Sequence, residues 1–302
     1  MKNTNLIRVK TVTEFHRLRG LPKPAHPLIS VADYSKMEYA DIEKTAMVFD
    51  FYTVSIKRNV YGKFRYGQQE YDFDEGIMFF TAPNQRLRFE ATTAAQISGW
   101  ILLIHPDFLY NTHLAKIIKQ YEYFDYSVNE ALFLSEKEEH TVYTFIENIH
   151  QEYHSNIDKF SKQIIISQIE SLLTYSDRFY NRQFITREQA NHQLLNRLDA
   201  LLNDYFNGNL VSKGLPSVQF VAESLNVSPS YLSSSLRVLT GQNTQQHIHN
   251  RLIEKAKEKL STTDLTVSEI SYELGFEHLQ SFSKLFKSKT NLSPLAFRQS
   301  FN

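Results

Sequence analysis

The C-terminal third of the chain contains one pattern of apolar residues twice, over 217–241 and again over 266–291. In each copy the apolar residues recur three or four positions apart, stop at Asn226 or Gly275, and then resume with the same period. This pattern predicts two pairs of short helices, each joined by a tight turn. Such a pair packs at a steep angle and leaves its second helix free to enter a DNA groove.

Residues that cap helices support these boundaries. Ser228 is followed by Pro229, as expected of an N-cap with proline at the first helical position. Thr266 and Glu269 have the spacing of a capping box at the start of the second copy. At the turn of that copy, Gly275 is expected to adopt a positive φ.

Residues 243–260 separate the two copies and have a helical period of their own. Ile248, Leu252, Ala256 and Leu260 lie four positions apart and therefore fall on one helix face. The sequence predicts a single connecting helix, which would hold the two helix pairs at a fixed separation. The basic residues of this helix fit either contacts to phosphates or ion pairs within the helix. The pairs predicted in the second case are Glu254 with Lys257 and Lys255 with Glu258.

In the N-terminal part of the chain, the pattern of apolar residues has a shorter period than in the C-terminal part. Segments rich in Val, Ile, Phe and Tyr and interrupted by Gly, Asn and Pro predict strands of an antiparallel barrel or sandwich, over 29–34, 44–58, 62–83 and 85–105. Helical spacing follows over 105–121, 135–154 and 159–180. We place a domain boundary at the polar segment 183–192, between a first domain at 1–182 and a second at 193–302.

Composition narrows the class of protein. The 302 residues suffice for two domains, and the absence of cysteine excludes disulfides, thiolate metal sites and thiol nucleophiles. We expect a cytoplasmic protein without a membrane anchor, because no signal peptide and no long apolar run is found. The net charge is +0 and does not by itself point to nucleic acid.

The C-terminal motifs resemble a known family. The stretches RLIEKAKEKL, ISYELGF, FSKLFK and SPLAFR, in this order and spacing, are similar to the DNA-binding domain of AraC/XylS-type transcription regulators. The resemblance implies an all-α domain with two helix-turn-helix motifs at 193–302. It also implies a cupin-like antiparallel β-barrel with following helices at 1–182, although the N-terminal likeness is looser. Together these give a multidomain protein with separate β and α parts.

The resemblance also places candidate DNA contacts. The family's base-contacting positions fall on Ser230, Ser233 and Ser234 in the first copy and on Gln280, Ser281 and Lys284 in the second. Gln280 can bond adenine with two hydrogen bonds, and Lys284 can donate to guanine or to a phosphate. Arg237 and Lys287 are expected to contact phosphates. The three serines are shorter than the residues usual in the family, so the first copy is expected to discriminate bases weakly.

The sequence gives little support for a metal site or for an enzyme. A metal-binding cupin needs several histidines on its inner strands, and this chain has none between His26 and His105. The pairs His150/His154 and His247/His249 are expected to be surface or capping residues. We therefore predict no metal, no cofactor and no catalytic residue.

The N-terminal aromatic residues have two interpretations, a ligand pocket or simple core packing. No ligand residue is assigned among these side chains, which are Tyr52, Phe64, Tyr66, Tyr71, Phe73, Phe79, Phe80 and Trp100, with Arg65, Arg86 and Arg88 as candidate charges.

The predicted function is a DNA-binding transcription regulator, an activator by the habit of the family. Its expected partners are double-stranded DNA, RNA polymerase, a small-molecule effector in the barrel, and a second copy of the chain. The helices over 135–180 either form the dimer interface or pack only on their own barrel. The rival hypothesis is a stand-alone ligand-binding or enzymatic cupin whose C-terminal helices mediate protein contacts.

Overall fold

The computed structural model describes residues 6–38, 46–58, 64–66, 69–71, 76–88, 98–126, 130–155, 158–186, 188–208 and 214–300. The chain divides into two compact units, 1–183 and 184–302. The first unit contains the described strands and the second is helical. None of the described helices combines the length and low polarity needed to cross a membrane.

The described strands of the first unit form three sheets. A five-stranded antiparallel sheet has the order β10-β7-β4-β9-β2, a three-stranded sheet has the order β1-β3-β8, and β5 pairs with β6. In the three-stranded sheet, β1 runs parallel to β3. The strands are β1 (Leu6–Val9), β2 (Ile29–Asp33), β3 (Ala46–Phe49), β4 (Tyr52–Arg58), β5 (Phe64–Tyr66), β6 (Gln69–Tyr71), β7 (Ile77–Thr81), β8 (Arg86–Arg88), β9 (Ser98–Ile104) and β10 (Leu132–Phe133).

The mostly antiparallel sheet expected from the sequence is confirmed, but its closure into a barrel is not. In the described part of the chain, β10 and β2 each pair with only one neighbour, so the five-stranded sheet remains open at both edges. The first strand, β1, was not predicted because it has only 4 residues in a mainly polar segment.

The two faces of the five-stranded sheet differ in polarity, because successive side chains of a strand point to opposite sides. On one face, Val54 lies opposite Phe80 on β7 and Leu102 on β9, and all three are buried. The other face is mixed. It carries polar side chains of β4 and β7 together with apolar ones of β7 and β9, namely Thr53, Ser55, Lys57 and Thr81 with Ile77, Phe79, Ile101 and Leu103. On this face, the Thr53 and Thr81 hydroxyls lie 2.5 Å apart.

The helices of the first unit are α1 (Val12–Leu18), α2 (Leu114–Ile117), α3 (Glu136–His154) and α4 (Ser161–Thr186). The helices predicted over 135–154 and 159–180 are confirmed as α3 and α4. The prediction of a single helix over 105–121 was wrong. That segment forms 3-10 turns at Pro106–Leu109 and Ile118–Gln120 on either side of the one-turn α2. Asn111 has a φ of 61°, which a continuing right-handed helix does not allow.

The second unit consists of seven described helices around one core. They are α5 (Glu188–Asn207), α6 (Val218–Leu225), α7 (Pro229–Thr240), α8 (Thr244–Thr262), α9 (Val267–Glu273), α10 (Leu279–Thr290) and α11 (Pro294–Gln299). The segment 183–192 lies in α4 and α5, except for residue 187, which lies outside the described residues. The four residues predicted to form the buried stripe of α8 are all buried.

Both helix pairs end their first helix at the same repeat position. Asn226 has a φ of 59° and Gly275 a φ of 83°, both in the left-handed region. Asn tolerates this region because its short amide bonds locally, whereas glycine has no steric cost there. At Gly275 space is also short, since an added Cβ would lie 3.0 Å from the carbonyl carbon of Gly214. The second turn therefore needs glycine for two reasons.

Replacing Gly275 by Ala is expected to lower the free energy of unfolding of the second unit by about 1–3 kcal/mol, because Ala is strained at this φ. Hydrogen exchange of peptides from 266–291 in the full chain measures the change. Gly241→Ala is the matched control, with a φ of 74° and no atom within 4 Å of the added Cβ. We expect Gly275→Ala to lose more stability than the control, and equal losses would contradict the role of the Gly214 contact.

Candidate nucleic-acid interface

The second recognition helix, α10, exposes all of its candidate contacts. Phe282 and Phe286, one turn apart, are fully buried and fix the inner side of the helix. On its outer side, all four predicted contact residues are exposed, namely Gln280, Ser281, Lys284 and Lys287. In the described part of the chain, neither lysine has a carboxylate partner. This helix therefore presents two cations and two hydrogen-bonding side chains to solvent.

The candidate base-contacting residues of the first recognition helix, α7, are more buried than those of α10. The Ser228 hydroxyl accepts a hydrogen bond from the Tyr231 backbone N–H at 3.2 Å, so the N-cap predicted from the sequence is confirmed. Its three predicted base-contacting residues, Ser230, Ser233 and Ser234, are half-buried, while the predicted phosphate contact Arg237 is exposed. The two recognition helices thus differ in how far their candidate side chains reach from the surface.

Ser233 makes a contact within the domain that the sequence did not predict. Its hydroxyl lies 2.9 Å from the hydroxyl of Thr244, the first residue of α8. Thr244 is completely buried. Because a buried hydroxyl needs a partner, this bond satisfies Thr244 and joins the first half of α7 to the start of the connecting helix. The base-contacting role predicted for Ser233 remains a prediction.

The cations of the connecting helix are mostly used for internal ion pairs. The Lys255 ammonium lies 2.9 Å from the Glu258 carboxylate, which confirms one of the two predicted pairs. Arg251 takes the place predicted for Lys257 and pairs with Glu254 at 2.6 Å. Lys259 reaches Glu273 on α9 at 2.7 Å, a third pair that no helical spacing could predict.

A polar bridge links the two helix pairs across α8. The Lys289 ammonium at the end of α10 donates to the Asn250 side-chain oxygen at 3.0 Å. The Asn250 side-chain nitrogen donates to the Gln242 side-chain oxygen at 2.8 Å, next to the end of α7. Sequence reasoning missed these residues because the contact joins positions 39 apart in the chain.

The histidines of α8 do not add positive charge to this surface. Burial lowers the pKa of His247, with nearby Asp199 acting in the opposite direction. Burial also lowers the pKa of His249, and Lys289 lowers it further. Their rings bond Thr240 and Gln245, each at 2.8 Å. These contacts agree with the structural role predicted for the pair.

The first unit places its candidate pocket residues in different surroundings. Tyr52 and Phe80 are buried core residues, and the Phe80 ring centroid lies 4.5 Å from that of Tyr123. Phe79 and Trp100 are half-buried, and Arg86 is exposed. The remaining candidates have side chains outside the described residues, namely Phe64, Arg65, Tyr66, Tyr71, Phe73 and Arg88. In the described residues, no group of His, Asp and Glu side chains converges as a metal site.

His150 and His154 contact each other. Their ring centroids lie 4.2 Å apart, and the His154 Nδ1 lies 2.8 Å from the backbone oxygen of His150. The Trp100 ring packs against His150 with 5.1 Å between centroids. Burial lowers the pKa of His150, and the neighbouring His154 lowers it further.

Comparisons with known proteins find similarity to part of the chain. A model described as a helix-turn-helix domain matches residues 221–300. An uncharacterized HTH-type transcriptional regulator in the cgkA 5′ region of Pseudoalteromonas carrageenovora is 33% identical over 100 residues, which cover 33% of this chain and 55% of that protein. The HTH-type transcriptional activator RhaS of Salmonella arizonae is 33% identical over 109 residues, which cover 36% of this chain and 37% of the relative.

A solved structure is also similar to part of the chain. The C-terminal domain of AraT, a response regulator from Geobacillus stearothermophilus, is 29% identical and covers 35% of this chain and 84% of its own, with a TM-score of 0.32. The matches to curated relatives thus span about a third to a half of those proteins' lengths.

Replacing Ser233 by Ala is expected to lower the free energy of unfolding of the second unit by about 1–3 kcal/mol, because the buried Thr244 hydroxyl loses its partner. Hydrogen exchange of peptides from 229–262 measures the loss. The double variant Ser233→Ala/Thr244→Val removes both hydroxyls and should recover most of it. A Ser233→Ala variant with unchanged protection would show that the bond is unimportant.

Proposed function

We propose that the second unit is an AraC/XylS-type double helix-turn-helix domain and that the protein is a sequence-specific DNA-binding transcription regulator, which uses this domain to read its operator. The observation that carries the proposal is the pair of recognition helices, α7 and α10, built on one apolar core. With their separation fixed by α8, the helices can enter successive major-groove segments on one face of the duplex, about 34 Å apart.

The two helices have unequal roles in this proposal. On α10, Gln280, Ser281 and Lys284 contact base edges and Lys287 binds a phosphate, because these exposed side chains reach furthest from the core. On α7, the half-buried Ser230 and Ser234 make shorter contacts. The Ser233 hydroxyl keeps its bond to Thr244 and contacts a base in addition to that bond. Arg237 supplies a phosphate contact at this end.

The first unit, 1–182, has the regulatory role in this proposal. Its antiparallel sheet is a cupin-like sensor for a small-molecule effector, and the helices over 135–180 pair two copies of the chain. The proposed regulator works in the bacterial cytosol and activates transcription through contact with RNA polymerase. It uses no metal or cofactor and catalyses no reaction. The name of the relative RhaS, a transcriptional activator, supports activation.

Binding to DNA separates this proposal from a stand-alone cupin. In a mobility-shift titration, the full chain is expected to bind DNA from upstream of its own gene more tightly than scrambled DNA of equal length. The affinity should fall with added salt because phosphate contacts release counterions. Equal binding to both DNAs, or no binding, would favour a cupin whose C-terminal helices contact proteins.

The unequal roles of the two helices predict unequal mutant effects. Lys284→Ala is expected to lower the affinity for the operator by about 1–3 kcal/mol, because Lys284 is exposed and contacts a base or a phosphate. Ser234→Ala should cost less, since a short hydroxyl makes at most one weak contact. A binding titration at fixed salt measures both variants. The control is Lys255→Ala, whose lysine is paired with Glu258 and should not affect binding. Equal losses for Lys284→Ala and Ser234→Ala would contradict the asymmetry.

A further inference from the structure

Asn250 connects the ends of the two recognition helices through its side chain. Its oxygen accepts a hydrogen bond from the Lys289 ammonium at 3.0 Å, and its nitrogen donates to the Gln242 side-chain oxygen at 2.8 Å. Asn250 and Gln242 are half-buried, so water competes only in part for the bond between them. One asparagine of the connecting helix thus contacts the end of α10 and the residues that follow α7.

Both ends of this bridge move with a recognition helix. Lys289 is the penultimate residue of α10. Gln242 follows α7 by two residues and is held to it through Thr240. The Thr240 hydroxyl donates to the Leu236 backbone oxygen at 2.8 Å and accepts from the Gln242 backbone N–H at 3.2 Å. A change in the tilt of either helix therefore changes the length or the angle of a bond in the bridge.

The bridge supplies a restraint that the shared apolar core provides less well. The hydrophobic effect that forms the core is non-directional, so it resists separation of the helices more strongly than small changes in their tilt. A hydrogen bond is directional and weakens steeply as its angle departs from linearity. Two such bonds in series between α7 and α10 therefore favour one relative tilt.

This tilt matters because the candidate contact residues lie far from the bridge. Gln280 is nine residues before Lys289, about 13.5 Å away along the helix axis. A tilt of about 5° at the bridge displaces Gln280 by about 1 Å. A displacement of this size is enough to break a hydrogen bond to a base edge. The orientation of α10 at its last turn thus determines whether both helices can read DNA together.

We propose that Asn250 is a positioning residue for DNA recognition, which holds α10 at the tilt that lets both recognition helices contact an operator of one spacing. The inference rests on the proposed function and adds to it a residue that acts through Gln242 and Lys289 and does not itself contact DNA. Loss of the Asn250 side chain weakens simultaneous binding by the two helices and leaves the reading of either DNA segment alone unchanged.

The orientation of the helices can be measured without DNA. The chain contains no cysteine, so the substitutions Arg237→Cys on α7 and Ser288→Cys on α10 give two exposed sites for spin labels. Pulsed electron paramagnetic resonance of the labelled full chain then gives the distribution of distances between the labels. We expect Asn250→Ala to broaden this distribution. The matched control Asn203→Ala, which truncates a half-buried asparagine of α5, should leave it unchanged.

Binding to DNA tests the functional consequence. The probes are a two-segment duplex selected from random sequence by the wild type, the same duplex with one base pair inserted between the segments, and a one-segment duplex whose other segment is scrambled. At fixed salt, Asn250→Ala should bind the selected duplex about three- to tenfold more weakly than the wild type, because the bridging hydrogen bonds are lost. The inserted base pair should cost the wild type more affinity than it costs Asn250→Ala. Both proteins should bind the one-segment duplex equally.

A conservative variant separates positioning from a general loss of stability. Asn250→Asp keeps an acceptor for Lys289, and the Gln242 amide can rotate to donate to the second carboxylate oxygen. This variant should keep the spacing preference of the wild type, although its negative charge weakens binding to every duplex. A variant whose only defect is lower stability would instead lose affinity for the one-segment and two-segment duplexes by the same factor.

Two results would overturn the positioning role. The first is a distance distribution for Asn250→Ala as narrow as that of the wild type. The second is an Asn250→Ala variant with the same preference as the wild type for the selected spacing over the inserted one. Failure of the wild type to select any DNA would contradict the proposed function, and the distance measurement would still show whether Asn250 orients the two helices.

Discussion

The packing of the apolar face of α8 is the interaction on which the second unit depends. Ile248, Leu252, Ala256 and Leu260 lie in one continuous cluster with residues from both helix pairs. Burying each aliphatic side chain of Leu or Ile size contributes roughly 1.5–3 kcal/mol. Because this cluster is shared, neither recognition helix can move far without disrupting packing that also holds the other. The shared core therefore fixes the separation of α7 and α10, and the surface contacts add to it.

The surface contacts fall into two kinds. The connector's ion pairs are exposed or half-exposed, and such pairs contribute little stability because water and salt screen them. They engage three of the four cations of α8, namely Arg251, Lys255 and Lys259, whereas Lys284 and Lys287 of α10 remain exposed for a partner. The bridge through Asn250 connects side chains from both helix pairs and gives the shared core a polar counterpart at the surface.

Local signals in the sequence predicted the second unit well. Caps, turn residues and helical periods depend on neighbours within four positions, so Ser228, Gly275 and the buried stripe of α8 could be identified without a structure. Contacts between distant segments could not. The Ser233–Thr244 bond and the Lys259–Glu273 pair depend on how helices cross, which the spacing of residues along one helix does not determine.

In the first unit, sequence reasoning predicted strands but not their surroundings. Tyr52 and Phe79 belong to the same class of aromatic candidate, yet Tyr52 is buried in the core and Phe79 is half-buried on the opposite face of the sheet, beside Lys57. The alternation of a strand separates such residues only when its pairing register is known. The helix predicted over 105–121 failed for a related reason, because apolar spacing of three or four persists through the left-handed turn at Asn111.

The rigid spacing of α7 and α10 can be measured directly on DNA. In an operator selected from random sequence, we would insert five base pairs between the two protected segments and titrate binding at fixed salt. A half-turn of duplex carries one segment to the opposite face, so a rigid two-helix domain should lose at least about tenfold in affinity, down to the level of one segment alone. Unchanged affinity would mean that the two helices adjust independently, and it would contradict the single shared core as the basis of recognition.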